Sequence, residues 1–163
     1  MKKVYIIIIL ISMSSQLVGQ NTNQLNEMII ESLRSHLDYS SELQKKVCEN
    51  CEKSNTYICQ DGLPAYFPYD SLQNVTFISV DFFRLYSHTN KLLNKQLKKG
   101  ISAFFVSFEL KNSQLRITIT SKSVKLMNKK TIGLGLCCWG NYFYEYSCEK
   151  QEWELKEIKY GGV

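Results

Sequence analysis

Six cysteines are the residues of this chain best suited to chemistry, because a thiol can form a disulfide, bind a metal or act as a nucleophile. They form an early group and a late group: Cys48, Cys51 and Cys59, then Cys137, Cys138 and Cys148. The adjacent cysteines of the late group lie in a predicted strand, so their side chains point to opposite faces and a bond between them would be strained. We predict disulfides between the two groups, or within residues 48–59.

Other roles of these cysteines stay open. Cys48 and Cys51 have the spacing of a thioredoxin-type redox pair, but they follow a helix C-terminus, where the dipole destabilises a thiolate. A structural zinc site would need a second Cys or His pair at a suitable spacing, so no metal site is predicted. A buried, reduced thiol that packs as a small apolar side chain is a further interpretation.

The two histidines, His36 and His88, are the candidate general bases. His36 lies on a predicted helix beside apolar positions, as partly buried surface histidines do, whereas His88 lies in a loop. No nucleophile motif accompanies either residue, so no catalytic residue is predicted. A thiol-dependent enzyme that uses a free cysteine with His36 or His88 is the alternative hypothesis, because such a pair need not be close in sequence.

An aromatic-rich segment near the C-terminus is the one pattern that resembles a binding site. It contains Trp139, Tyr142, Phe143, Tyr144, Tyr146 and Trp153. We predict that Trp139, Tyr142 and Tyr144 bind a partner or small ligand on a bent sheet. The competing interpretation is that these residues form core contacts and cross-strand pairs.

The first twenty residues have the layout of a secretory signal peptide: two lysines, an apolar run from Val4 to Ile11, and a short polar stretch. The apolar run is shorter than the about 20 residues that a membrane span needs. We therefore predict cleavage after Gly19 or Gln20. Residues 1–20 are the predicted signal peptide, and residues 21–163 form one exported domain, periplasmic or secreted, with no membrane span.

The charge of the chain argues against a nucleic-acid partner. The formal net charge is +5, and loss of the two lysines in the signal peptide lowers it to +3. The basic residues are spread along the chain, whereas a nucleic-acid-binding protein concentrates them in a patch. Gly133-x-Gly135 is only a fragment of a phosphate-binding loop, and no cofactor is predicted.

Helices are predicted at two places. Asn21 to Val47 has one apolar stripe, which loses phase at residues 39–41, where a second short helix is expected to begin. After an irregular region at 48–74, Val75 to Phe83 is a predicted strand. Asn90 to Lys99 is a short predicted helix that ends at Gly100.

Strands fill the rest of the chain. A turn centred on Asn112-Ser113 pairs Leu110 with Leu115 and so aligns the apolar side chains of two strands, which indicates a hairpin. A second hairpin turns at Lys150-Gln151, with Cys148 opposite Trp153.

Two changes of apolar phase in these strands predict β-bulges near Ser121 to Ser123 and near Lys156 or Glu157. Residues 132–148 are expected to form one long bent strand, and a turn at Gly140-Asn141 is the rival interpretation. The predicted fold class is α+β, with an N-terminal helix packed on a bent antiparallel sheet of about four to five strands.

The C-terminal part is similar to small exported proteins of gut bacteria that have no assigned activity. The matching residues are Trp139-Gly140, Tyr144-Glu145-Tyr146-Ser147-Cys148, Trp153-Glu154-Leu155 and Tyr160-Gly161-Gly162. This resemblance implies an exported location and no particular chemistry. The leading hypothesis is an exported, non-enzymatic domain that binds a protein or small molecule through the aromatic-rich sheet. The alternatives are the thiol-dependent enzyme and a structural protein of the cell envelope.

Overall fold

A computed structural model of the chain describes residues 2–47, 56–79, 81, 91–127 and 131–162. Besides short 3₁₀ helices at Gln60–Gly62 and Tyr69–Ser71, these residues include two α-helices and six strands. In chain order they are α1 (Lys2–Val47), β1 (Thr56–Cys59), β2 (Val75–Ile78), α2 (Lys91–Lys99), β3 (Ile101–Lys111), β4 (Gln114–Leu126), β5 (Ile132–Ser147) and β6 (Glu152–Gly162). The predicted α+β class is therefore confirmed.

The sheet differs from the prediction in strand number and direction. Its strand order is β2-β1-β3-β4-β5-β6, and β1 runs parallel to both β2 and β3, so the sheet is mixed and six-stranded. The prediction of four to five antiparallel strands was wrong because β1 lies in the region predicted to be irregular. A strand of four residues is too short to show alternation, and its partners are distant in sequence.

Helix α1 is continuous where a break was predicted at residues 39–41. Ile29 and Leu33 of the apolar stripe are fully buried against the sheet. Where the stripe changes phase, the helix packs on an aromatic side chain, with Tyr39 stacked on Tyr160 at 4.0 Å between ring centroids. No helix in the described ranges is long and apolar enough to cross a membrane.

The β3–β4 hairpin confirms the predicted register. Leu110 lies opposite Leu115, and the pairing continues without a shift to Ile101 opposite Val124. The turn residues Asn112 and Ser113 have φ values of 51° and 60°. Positive φ at both central residues is the type I′ geometry, which matches the twist of the flanking strands.

Strand β5 is one long strand, as predicted, and the rival turn at Gly140-Asn141 is absent from it. The predicted register with β6 was wrong by two residues, because the turn spans residues 148–151 and Tyr146 lies opposite Trp153. The bulge predicted near Lys156 is confirmed by a register shift there. A second shift falls between Ser121 and Lys122, as expected, but the extra residue is Cys137 of the partner strand β5.

The two faces of the sheet are covered differently. Helix α1 covers the central part of one face, called here the α1 face, whose buried side chains include Phe104, Val106, Ile117, Ile119, Tyr142 and Tyr144. Near the hairpin turns the same face is exposed at Phe108, Leu110, Tyr146 and Leu155. Helix α2 covers one end of the second face, where Leu97 packs with Ile101, Ala103 and Val124. The remaining part of the second face, between the Asn112-Ser113 turn and Trp139, is called here the open face. None of its described side chains is buried.

Candidate functional site

The three aromatic residues predicted to bind a ligand do not share one surface. Tyr142 and Tyr144 lie in the core of the α1 face, with 1% and 2% of their surfaces exposed. Trp139 lies three residues before Tyr142 in the same strand and so faces the opposite side, where it is partly exposed. Both tyrosines therefore form core contacts, as the competing interpretation expected, whereas ligand binding at Trp139 stays a prediction.

Both buried tyrosines use their hydroxyl groups inside the core. The Tyr144 hydroxyl lies 3.0 Å from the Ser32 hydroxyl and donates to the Met28 carbonyl at 3.2 Å. The Tyr142 hydroxyl donates to the Tyr160 hydroxyl at 3.3 Å. Burial raises the pKa of both phenols, so they remain protonated hydrogen-bond donors that tie β5 to α1 and β6.

The cysteines are not joined to one another wherever the structure describes them, so the disulfide prediction is not met there. Cys138 is buried on the α1 face, whereas Cys59 alternates with Ile58 and is buried on the second face, so the sheet separates them. Cys137 and Cys148 are exposed. Cys48 and Cys51 lie outside the described residues.

The structure brings one predicted histidine to a cysteine. The Nε2 atom of His36 lies 4.0 Å from the sulfur of Cys138, although the two residues are 102 positions apart. Gly140 makes room for the ring, since a Cβ there would come within 2.7 Å of the His36 Nδ1 atom. That nitrogen is buried and has no hydrogen-bond partner among the described residues. His88 lies outside them.

Burial keeps both members of this pair uncharged. It lowers the pKa of His36 to about 4 and raises the pKa of the Cys138 thiol. A catalytic thiol needs the opposite shifts, because a thiolate is stabilised by a charged imidazolium in an accessible site. In this conformation the Cys138–His36 pair is therefore packed as core.

The open face holds a groove of about 460 Å³ at the turn end of β3, β4 and β5. It is lined by Glu109, Lys111, Asn112, Gln114, Arg116, Phe143 and Glu145. Arg116 forms an ion pair with Glu109, and the Gln114 amide donates to Glu145 at 3.1 Å. The groove thus presents hydrogen-bond donors and acceptors around one aromatic ring.

These groove residues were missed in the sequence because each one is an isolated polar residue there. The signal was present in the hairpin register, which pairs Glu109 with Arg116 and Lys111 with Gln114. These pairs lie on the face opposite to the apolar side chains. Across the described residues, no three His, Cys, Asp or Glu side chains are grouped so as to hold a metal ion.

No protein-family model, no curated protein and no solved structure matches the chain, so function is inferred from the site itself.

Proposed function

We propose that the chain is an exported, non-enzymatic binding domain that holds a small polar ligand in the groove of its open face. Residues 1–20 are the proposed signal peptide, and residues 21–163 form the exported domain. The observation that carries the proposal is the groove itself, which combines four charged side chains, two amides and Phe143 on a rigid sheet. A volume of about 460 Å³ is within the range of small-molecule sites, which runs from about 300 to 1,000 Å³.

The backbone beneath the groove is regular, which favours binding. Its side chains project from the unshifted β3–β4 ladder and from β5, where Phe143 lies between Arg116 and Glu157 beside the β5–β6 bulge. The Arg116–Glu109 and Gln114–Glu145 contacts lie at exposed positions, so these groups can turn to a ligand as it displaces water.

The experiment is a thermal-shift screen of the mature domain with neutral, acidic, basic and zwitterionic small molecules at millimolar concentration. A ligand that binds only the folded state raises the midpoint of unfolding as its concentration increases. We expect Arg116→Ala and Lys111→Ala to abolish the shift. Lys45→Ala is the matched control, since Lys45 is an exposed lysine on α1. Shifts that persist in both groove variants would refute the proposal.

The second candidate function is the thiol-dependent enzyme, and the observation that favours it is the 4.0 Å approach of Cys138 to His36. Catalysis would need an alternative conformation in which α1 moves off the sheet and admits water and substrate. Such a conformation makes Cys138 react with iodoacetamide in the native protein at a rate similar to that of Cys137. The groove proposal does not require any movement of α1.

A further inference from the structure

Two aromatic side chains and a row of polar groups continue from the groove along the open face. Phe143 borders the groove, Asn141 follows it, and Trp139 follows Asn141 on the same side of β5. The Cα atoms of Phe143 and Trp139 are about 14 Å apart, since alternate residues of a strand repeat about every 6.8 Å. The Thr118 hydroxyl beside Asn141 donates to its amide oxygen at 2.7 Å. Along β5, the open face therefore presents an aromatic ring, then an amide, then a second aromatic ring.

The ring of Trp139 is placed by a glycine. Gly161 lies opposite Trp139 in β6, and a Cβ atom at Gly161 would come within 2.3 Å of the indole Cζ2 atom. Any larger residue at this position would therefore displace the indole. Because Gly161 has no side chain, the indole can lie against the sheet, and Trp139 keeps part of its surface exposed. Phe143 is also partly exposed, with the Lys159 ammonium 5.1 Å from its ring centroid.

The acidic and basic residues beside these rings are equal in number, and two ion pairs join them. The acidic residues Glu109, Glu145 and Glu157 are matched in number by Lys111, Arg116 and Lys159. Arg116 pairs with Glu109, and Lys159 pairs with Glu157 at 2.9 Å. At Arg116 and Lys159 an anionic ligand would have to compete with these two pairs, whereas a neutral ligand with many hydroxyl groups can hydrogen-bond to the paired groups as they stand.

Close to these residues, Lys150 and Lys156 each donate a hydrogen bond to the Glu154 carboxylate. These bonds lower the pKa of Glu154 to about 2. The carboxylate of this further acidic residue is thus also committed to contacts within the protein.

We propose, building on the proposed function, that the groove and the Phe143–Asn141–Trp139 row form one binding surface for a neutral oligosaccharide. A pyranose ring has an apolar C–H face and a rim of hydroxyl groups. The C–H faces would stack on the indole of Trp139 and on the ring of Phe143, because aromatic rings offer large apolar area at little cost in conformational entropy. Stacking on Phe143 requires the Lys159 ammonium, which lies over that ring, to move aside. The hydroxyl rim would bond to the Asn141 amide and to the paired Arg116 and Glu109.

The test is calorimetric titration of the mature domain with neutral oligosaccharides of increasing length, built from glucose, mannose, galactose or xylose. Tryptophan fluorescence of a Trp153→Phe background, in which Trp139 is the remaining tryptophan, reports stacking directly. We expect binding to strengthen with chain length and the emission of Trp139 to shift. Trp139→Ala and Phe143→Ala should each weaken binding by about tenfold or more.

Matched variants separate loss of the site from loss of the fold. Tyr146→Ala removes an exposed aromatic ring from the other face of β5 and should leave binding unchanged. Gly161→Ala keeps the indole but displaces it, so it should weaken binding, while Trp139→Tyr should retain most of it. Unfolding midpoints of all variants confirm that each one is folded.

The outcomes distinguish this inference from the proposed function. If no oligosaccharide binds but another small molecule does, and Arg116→Ala abolishes that binding, the oligosaccharide inference is overturned and the groove proposal stands. If oligosaccharides bind equally well to Trp139→Ala and Phe143→Ala, the surface assigned to them is wrong. If neither an oligosaccharide nor any other small molecule needs the groove residues in order to bind, both proposals fail.

Discussion

The polar groups on the two faces of the sheet lie in opposite environments, one buried and the other exposed to solvent. On the α1 face, His36, Cys138 and the hydroxyls of Tyr142 and Tyr144 are enclosed between the helix and the strands. Burial leaves the imidazole, the thiol and both phenols uncharged. On the open face the same strands carry charged and amide side chains in solvent-facing contacts with one another.

The difference shows that the Cys138–His36 pair, whose residue types are best suited to chemistry, lies in the core of this protein and not on its proposed binding surface. The thiol and imidazole meet in the core, where dehydration suppresses ionisation. Ordinary polar residues such as Arg116 and Gln114 line the groove, where they can exchange water for ligand. The covered face supplies stability, and the open face is the proposed binding surface.

Neighbouring residues on β4 test this division most strongly. Ile117 is fully buried on the α1 face, whereas Arg116 is on the open face with its side chain 43% exposed. We expect Ile117→Ala to lower the free energy of unfolding by about 2 to 5 kcal/mol, because it leaves a cavity in the core. Arg116→Ala should cost about 1 kcal/mol or less, as exposed ion pairs do. Urea unfolding of both variants measures the contrast, and equal losses would contradict it.

The buried His36 predicts a pH dependence. Its pKa is lowered to about 4 in the folded protein from 6.5, so between these values the unfolded chain binds more protons than the folded one. Stability should therefore fall as the pH drops from about 6.5 to 4, by about 3 kcal/mol for this group. Urea unfolding across this window should show a shallower decline for His36→Leu, while the carboxylates common to both proteins cancel. Identical profiles would mean that His36 is not held uncharged.

A smaller effect is expected from the hydroxyl of Tyr144. Tyr144→Phe removes the contacts with Ser32 and the Met28 carbonyl and should cost about 1 kcal/mol. Tyr146→Phe is the matched control on the same strand, because Tyr146 is 42% exposed, and it should cost only a few tenths of a kcal/mol. Combining Tyr144→Phe with Ser32→Ala should give less than the sum of the single losses. Strict additivity would show that the two hydroxyls do not interact.

Local features of the fold could be predicted from the sequence, because alternation and turn chemistry act over a few residues. The hairpin register at Leu110 and Leu115 and the unbroken strand through Gly140 are examples. The parallel pairing of β1 could not be predicted, because a strand of four residues has no clear period and pairs with distant partners. The four-residue turn before β6 was also missed, since its only special residue is Gln151, with φ at 55°.

The candidate site was less predictable than the fold. The contact between Cys138 and His36 depends on the packing angle of α1, which no local pattern encodes. Trp139 and Tyr142 lie on opposite faces of β5 because they are three residues apart, and strand alternation alone could have predicted this. The groove residues could have been predicted by applying the hairpin register to the polar positions of the two strands as well as to the apolar ones.

The most direct test of the contrast between the two faces is native-state alkylation of the late cysteines. The folded mature domain would be treated with iodoacetamide at neutral pH without reductant, and modification of each cysteine would be followed by peptide mass spectrometry. Cys137 and Cys138 are adjacent, but the first is exposed and the second is buried. We predict rapid modification of Cys137 and protection of Cys138 until the protein is unfolded. Modification of both at the same rate would contradict the account and would favour a thiol-dependent activity.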